Sequence, residues 1–205
     1  LSGGDPLILS PRRLGEIVRR LDAIGHLGVI RVHTRVPAAE PERVDAELVA
    51  ALRARKAVWI VLHANHAREL DEPTRAAVAR LVDAGLPVLA QTVLLAGVND
   101  DPATLEALLR GLVAMRVKPY YLHHADLAPG TGHFRSSIAA GQALMRDLRG
   151  RVSGLCQPSY VLDVPGGAGK VPIGPSYLRE SLADGKTVVE DWQGKLHLYP
   201  DVEGR

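Results

Sequence analysis

The stretch Asp163-Val164-Pro165-Gly166-Gly167-Ala168-Gly169-Lys170 follows the apolar run Tyr160-Val161-Leu162 and ends its three-glycine turn on a lysine. Glycine allows positive φ and close approach of the backbone, so a lysine carried on such a turn can be held against a bound group. A lysine bonds an aldehyde only as the free amine, which requires burial or a neighbouring cation to lower its pKa from about 10.4. The usual aldehyde in such a site is pyridoxal phosphate. Asp126 and Asp163 follow strands that are consecutive in the chain, and adjacent strands lie about 4.8 Å apart. Two carboxylates that close repel, and a substrate ammonium between them removes the conflict. Asp5, His33, Arg35, His63, Asn65, His66, Gln91, His123 and His124 fall at or near other predicted strand ends. Singly, each has a structural reading, such as a helix cap for Asp126 or a loop histidine for His66. Together, six strand ends carrying polar groups to one mouth point to an active site, because α/β folds gather ligands at the carboxyl ends of parallel strands.

The elements that must position these groups read as a βα series. Strands start near residues 29, 58, 87, 119 and 159, a spacing that predicts parallel strands joined by helical crossovers. The strands are continuous apolar runs, which predicts cover on both faces. A helix is expected from Ser10, with Leu14, Ile17, Val18, Leu21 and Ile24 inward, and another from about Pro41, with Val44, Leu48, Ala51 and Leu52 inward. Further helices start near Asp71, Asp101 and Ile138. The fold class is therefore α/β, a partial (open) TIM-like (βα) barrel with parallel strands, truncated at its N-terminal side, since a complete barrel takes about 250 residues. The barrel part is assigned to residues 1–175, and residues 176–205 to a C-terminal extension with a β-hairpin around Trp192-Gln193-Gly194.

Composition sets bounds on function. A chain of 205 residues, 46% hydrophobic and 23% charged, can bury one core. Its net charge of +2 comes with basic residues dispersed along the chain, which gives no nucleic-acid footprint. Cys156 is the single cysteine, so an internal disulfide is excluded and an iron–sulfur cluster, which needs several thiolates, cannot be held by this chain. No apolar run reaches the roughly 20 residues of a membrane span, and no basic-then-apolar leader opens the chain, so no membrane is expected and the cytoplasm is. The opening Leu1-Ser2-Gly3-Gly4-Asp5 lacks a methionine and reads as the tail of a strand, which predicts further chain upstream.

Taken together, these residues resemble the lysine 2,3-aminomutase family of radical S-adenosylmethionine enzymes. The resemblance is carried by Ser2-Gly3-Gly4-Asp5-Pro6, Ile30-Arg31-Val32 leading to Thr34-Arg35, His63-Ala64-Asn65-His66, Lys118-Pro119-Tyr120-Tyr121 through Asp126, Gly132-His133-Phe134-Arg135, and the loop ending at Lys170. It implies an isomerase that converts L-lysine to β-lysine by moving an amino group between neighbouring carbons, and that uses S-adenosylmethionine, a [4Fe–4S] cluster and pyridoxal 5'-phosphate. It implies Lys170 as the catalytic pyridoxal phosphate lysine and Asp126 and Asp163 as the pair holding the substrate's distal ammonium. Gly3, Gly4, Asp5 and Gln91 would face S-adenosylmethionine, with His63, Asn65 and His123 lining the same mouth. It also implies a homo-oligomer for the full-length form. The family's Cys-x3-Cys-x2-Cys motif is absent, so the resemblance is to the carboxyl-side part of a catalytic domain, with no metal ligands in this chain and no radical activity expected alone. Two other readings remain open: a branch that modifies a lysyl group on elongation factor P, and a zinc hydrolase using His63, His66, His123 and Asp126.

Overall fold

The computed structural model describes residues 1–200. Local capping sets most helix starts. Ser10, Asp45, Asp71, Asp101 and Ser137 each accept a hydrogen bond from the backbone N–H three residues on, opening α1 (Pro11–Asp22), α3 (Ala46–Ala51), α4 (Glu72–Asp83), α5 (Pro102–Ala114) and α6 (Ile138–Arg149). Pro11, Pro73 and Pro102 sit in first turns, where a missing N–H costs no intrahelical bond. The helix expected from Pro41 is instead broken into α2 (Val36–Ala39), a 3-10 turn at Pro41–Arg43 and α3. Pro41 keeps the residue before it out of the helical region, and Asp45 restarts the chain as a cap. Val44, Leu48 and Leu52 are nevertheless buried. Ile24 is exposed, because α1 ends at Asp22 before that position returns to the inner face.

Six strands form one sheet in chain order: β1 (Val29–Thr34), β2 (Ala57–His63), β3 (Val88–Leu94), β4 (Lys118–His124), β5 (Ser159–Val164) and β6 (Gly169–Pro172). The first five run parallel and β6 turns back antiparallel on β5. The result is a mostly parallel, curled half-barrel sheet. The core lies between this sheet and the helices. Ile30, Val32, Val58, Ile60, Leu62, Val88, Ala90, Leu94 and Leu122 point toward it.

Cover on both faces is not what the structure has. Burial alternates along β1 and β3, so one face is sealed and the other is half-open. The residues on the open face include Arg31 and His33, Trp59, Val61 and His63, Leu89, Gln91 and Val93, then Tyr121, His123, Val161 and Asp163. The apolar runs misled because β-branched and aromatic residues serve both faces of a strand.

A second sheet of β7 (Leu178–Ser181), β8 (Lys186–Glu190) and β9 (Leu196–Pro200) is antiparallel throughout. Trp192-Gln193-Gly194 lies in the β8–β9 connection, and Arg146 of α6 ties this sheet down through Glu190 and the Ser176 carbonyl. Among the described residues, no helix is long and apolar enough to cross a membrane.

Candidate active site

An irregularity in β4 decides which side chains reach the open face. The β3–β4 register slips between Ala90 and Gln91, so that Ala90 pairs with Pro119 and Gln91 with Tyr121, leaving Tyr120 as the extra residue. Proline cannot donate to a ladder, and bulges are where strands accommodate it. Tyr120 and Tyr121 consequently share a face, their hydroxyls 2.8 Å apart, and the phase of the strand shifts. Leu122 then enters the core and His123 joins Tyr121 on the open side, the two rings edge-on at 5.6 Å.

Lys170 meets this group from β6. Asp163 on β5 and Lys170 are register partners across the tight β5–β6 turn, in which Gly166, Gly167 and Gly169 have φ of 80°, 76° and 101°. That backbone is strained for any residue with a Cβ. The Lys170 ammonium donates to both oxygens of Asp163 and lies 3.2 Å from His123 Nδ1 and 5.6 Å from the Tyr121 ring centroid. His123 Nδ1 is 3.1 Å from Asp163 Oδ2, and its Nε2 is buried with no hydrogen-bond partner among the described residues. The bond from Lys170 holds the Asp163 carboxyl below the usual carboxylate range, helped by His123 and opposed by partial burial. Burial, and then the Lys170 charge, push His123 down from its ordinary value, against the pull of Asp163 and Asp126.

Beside this group lies a cavity of about 690 Å³. Asp126, Asp163 and Lys170 give it charge, while Leu127, Ile138, Leu162 and Val164 give it apolar walls. A smaller hollow of about 250 Å³ lies at the other end of the sheet, lined by Gly3, Gly4, Asp5, His33, Thr34, Arg35, His63 and Gln91. His33 and His63 are both shifted down, chiefly by burial and then by the nearby Arg31 and Arg35. Both imidazoles are therefore neutral near pH 7.

A family model described as "Lysine-2,3-aminomutase" matches residues 145–204, the segment that contains β5, the glycine turn and Lys170. L-lysine 2,3-aminomutase of Acetoanaerobium sticklandii is 41% identical over 203 residues, covering 99% of this chain and 49% of its own length. A putative L-lysine 2,3-aminomutase of Aquifex aeolicus is 45% identical over 204 residues, covering 99% of this chain and 55% of its own. Over its whole length the chain is similar to L-lysine 2,3-aminomutases at about 40% identity. It spans about half the length of the curated relatives it matches. A glutamate 2,3-aminomutase of Clostridioides difficile is 35% identical over 201 residues, 98% of this chain and 47% of its own. A radical SAM methyltransferase structure from Sphaerobacter thermophilus aligns with 68% of this chain and 43% of its own at 23% identity with a TM-score of 0.48, and carries no part of the assignment.

The expected residues divide into two groups and a set of braces. Lys170, Asp163 and Asp126 border the larger cavity, and Gly3, Gly4, Asp5, His63 and Gln91 border the smaller hollow. His123 lines neither; it packs behind Asp163. Asn65 also lines neither, because its side-chain oxygen accepts from the Val93 N–H at 2.9 Å, stitching β2 to β3. Asp5 borders its hollow but is already engaged. One oxygen accepts from the Leu7 N–H and the Thr34 hydroxyl, at 3.0 and 2.7 Å, and the other accepts from the Arg35 N–H at 2.6 Å. His66 is spent as a cap, its Nδ1 accepting from the Arg68 N–H. The zinc set of His63, His66, His123 and Asp126 therefore does not assemble: among the described residues no three His, Cys, Asp or Glu side chains are grouped to hold a metal.

Sequence reasoning missed Tyr121, which lies beside Lys170, and Asn99. Asn99 is fully buried, donates to the Asn65 and Val93 carbonyls and accepts from the Leu95 N–H, fixing the loop after β3. Pro119 inside an apparent strand was the one signal of the bulge that turns Tyr121 and His123 onto the open face.

Proposed function

We propose that this chain forms the lysine-binding side of an amino acid 2,3-aminomutase site in a truncated TIM-like barrel, acting on L-lysine to give β-lysine. The observation that carries the reading is the cavity lined by Lys170, Asp126 and Asp163 together with the apolar side chains of Leu127, Ile138, Leu162 and Val164. A straight four-carbon chain ending in an ammonium matches that lining. A substrate ending in a carboxylate would meet Asp126 and Asp163 as like charges, which disfavours glutamate.

The residues present fit pyridoxal phosphate. The Lys170 side chain is 29% exposed, reaches the cavity from a turn whose glycines leave room beside the backbone, and has a polar neighbour in His123 with an unused ring nitrogen. The smaller hollow, with its paired glycines and neutral imidazoles, fits part of S-adenosylmethionine. They do not fit a [4Fe–4S] cluster: the single cysteine, Cys156, is buried in the helix-side core. Its ligands are assigned to residues outside this chain, and a reducing cytosolic compartment suits both cluster and thiol. When bound, pyridoxal phosphate supplies a carrier for the migrating amino group, and S-adenosylmethionine supplies the hydrogen-abstracting radical.

The chain's own residues bind and orient. Asp126 and Asp163 hold the distal ammonium, the apolar walls align the alkyl chain and exclude water, and Tyr121 shields the Lys170 amine from the side. Only a neutral amine bonds a carbonyl carbon, so Lys170 must leave Asp163 before it takes up an aldehyde. Borohydride trapping of pyridoxal phosphate on this chain, followed by peptide mass spectrometry, should mark Lys170. Labelling elsewhere, or none, sinks the reading. β-Lysine should form only with a longer protein that carries a reconstituted cluster.

A further inference from the structure

Asp163 is needed to hold a substrate ammonium, yet in this structure its two oxygens are already taken by an ammonium from the same chain. The carboxylate also has a second support that is not a cation. His123 Nδ1 lies 3.1 Å from Oδ2, and the His123 side chain is only 9% exposed. Its Nε2 is buried and unpartnered among the described residues. A buried N–H without an acceptor is costlier to leave than a bare lone pair, which puts the single proton of the neutral ring on Nδ1, facing Asp163. His123 is then a donor to the carboxylate, and the 3.2 Å approach of Lys170 Nζ to Nδ1 is a contact between two donors that share one acceptor.

We propose that Lys170 and the substrate's distal ammonium compete for one carboxylate: without cofactor Lys170 fills the cation site at Asp163, and His123 holds that carboxylate in position once Lys170 is withdrawn. This rests on the reading of Lys170 and Asp163 given above and extends it. The exchange makes binding ordered, because a cation site appears only after the chain's own cation has moved. It also gives His123 a positioning role. Asp163 is 43% exposed and sits at the end of β5, so with Lys170 gone the imidazole is its remaining side-chain hydrogen-bond partner among the described residues. The charged or titratable groups around His123 include Lys170, Asp163, Asp126, the edge-on Tyr121 and, across the open face, His33 and His63. Withdrawing the Lys170 cation removes one of the influences that keep the ring neutral, so His123 should become more basic in a Lys170→Met chain.

The test uses the 205-residue chain and n-butylammonium as probe, followed by calorimetry. Lys170→Met should bind the probe about tenfold more tightly than the unaltered chain, the equivalent of one charge-assisted contact made available. Adding Asp163→Asn should erase the gain, adding His123→Phe should remove most of it, and His123→Gln, which keeps a donor, should restore it. Ring-nitrogen NMR of His123 should show the upward pKa shift in Lys170→Met, which reports the loss of the Lys170 charge beside the ring. On the unaltered chain, the Lys170 ammonium protons should lose protection from water exchange as n-butylammonium is added. Equal affinity of the unaltered and Lys170→Met chains, or unchanged protection at saturating probe, overturns the competition. A gain that survives His123→Phe overturns the positioning role. Failure of borohydride to trap pyridoxal phosphate at Lys170 would instead sink the underlying reading. Trapping without competition sinks only this inference.

Discussion

Replacing Asp5 by asparagine separates two roles that the same residue could have. In the structure its carboxylate joins residues 29 and 30 positions apart, accepting from the Thr34 hydroxyl and the Arg35 N–H as well as from its near neighbour Leu7. An amide oxygen can keep the two bonds made by Oδ1, but the amide nitrogen then faces the Arg35 N–H, donor against donor. One charge-assisted bond is lost at a partly exposed site, for a cost of about 1.5 kcal/mol. For a chain of this size that lowers Tm by roughly 3–6 °C. Urea and thermal unfolding of the Asp5→Asn chain, with far-UV circular dichroism as readout, measure it directly. Asp5→Ala, which loses all three bonds, should fall about twice as far. If Asp5→Asn melts with the unaltered chain while losing S-adenosylmethionine binding, the carboxylate serves the ligand and not the fold, and the bracing role is wrong.

Other outcomes follow from the same structure. Gly141→Ala should destabilise by about 1–3 kcal/mol, because an added Cβ would stand 2.1 Å from the buried Tyr160 hydroxyl; Tyr160→Phe in the same chain should relieve part of it in urea unfolding. Asn99→Ala should cost about 2–4 kcal/mol by leaving buried backbone groups unpaired, and Asn99→Asp should not rescue it, since both donated bonds are lost. Stability should fall on acidification. Burial lowers His63, so below its ordinary value of about 6.5 the unfolded chain binds the proton first, and the loss continues until pH reaches the lower folded value. His33, His123 and His124 act in the same direction, while the lowered Asp163 contributes stability that is lost only at more acid pH. Urea midpoints measured from about pH 7.5 to about pH 5.5 should decline, and less so in His63→Gln; a flat profile would refute the buried, neutral state.

Much of the molecule was legible one residue at a time. Ser10, Asp71 and Asp101 announced their helices because a cap is a bond between a side chain and a backbone group three residues away. The periodic leucines of α5 announced its buried face. The strand starts announced the βα series, and the glycine turn announced that Lys170 would be presented by unusual backbone. The engagements within the fold were less legible. Asn65, His66 and Asp5 have the residue types of a binding site, and in the structure each bonds backbone or hydroxyl groups of the fold.

Local pattern therefore determined the elements and the inventory of reactive side chains, since both depend on contacts within a few residues along the chain. Which of those side chains meet was decided only in three dimensions. The extra residue at Tyr120 turned His123 toward the open face, and the reversal into β6 set Lys170 against Asp163. The register of neighbouring strands divided the polar residues between two hollows. Those outcomes depend on hydrogen-bond register between segments some 30 residues apart, where a one-residue slip sends a side chain to the opposite face.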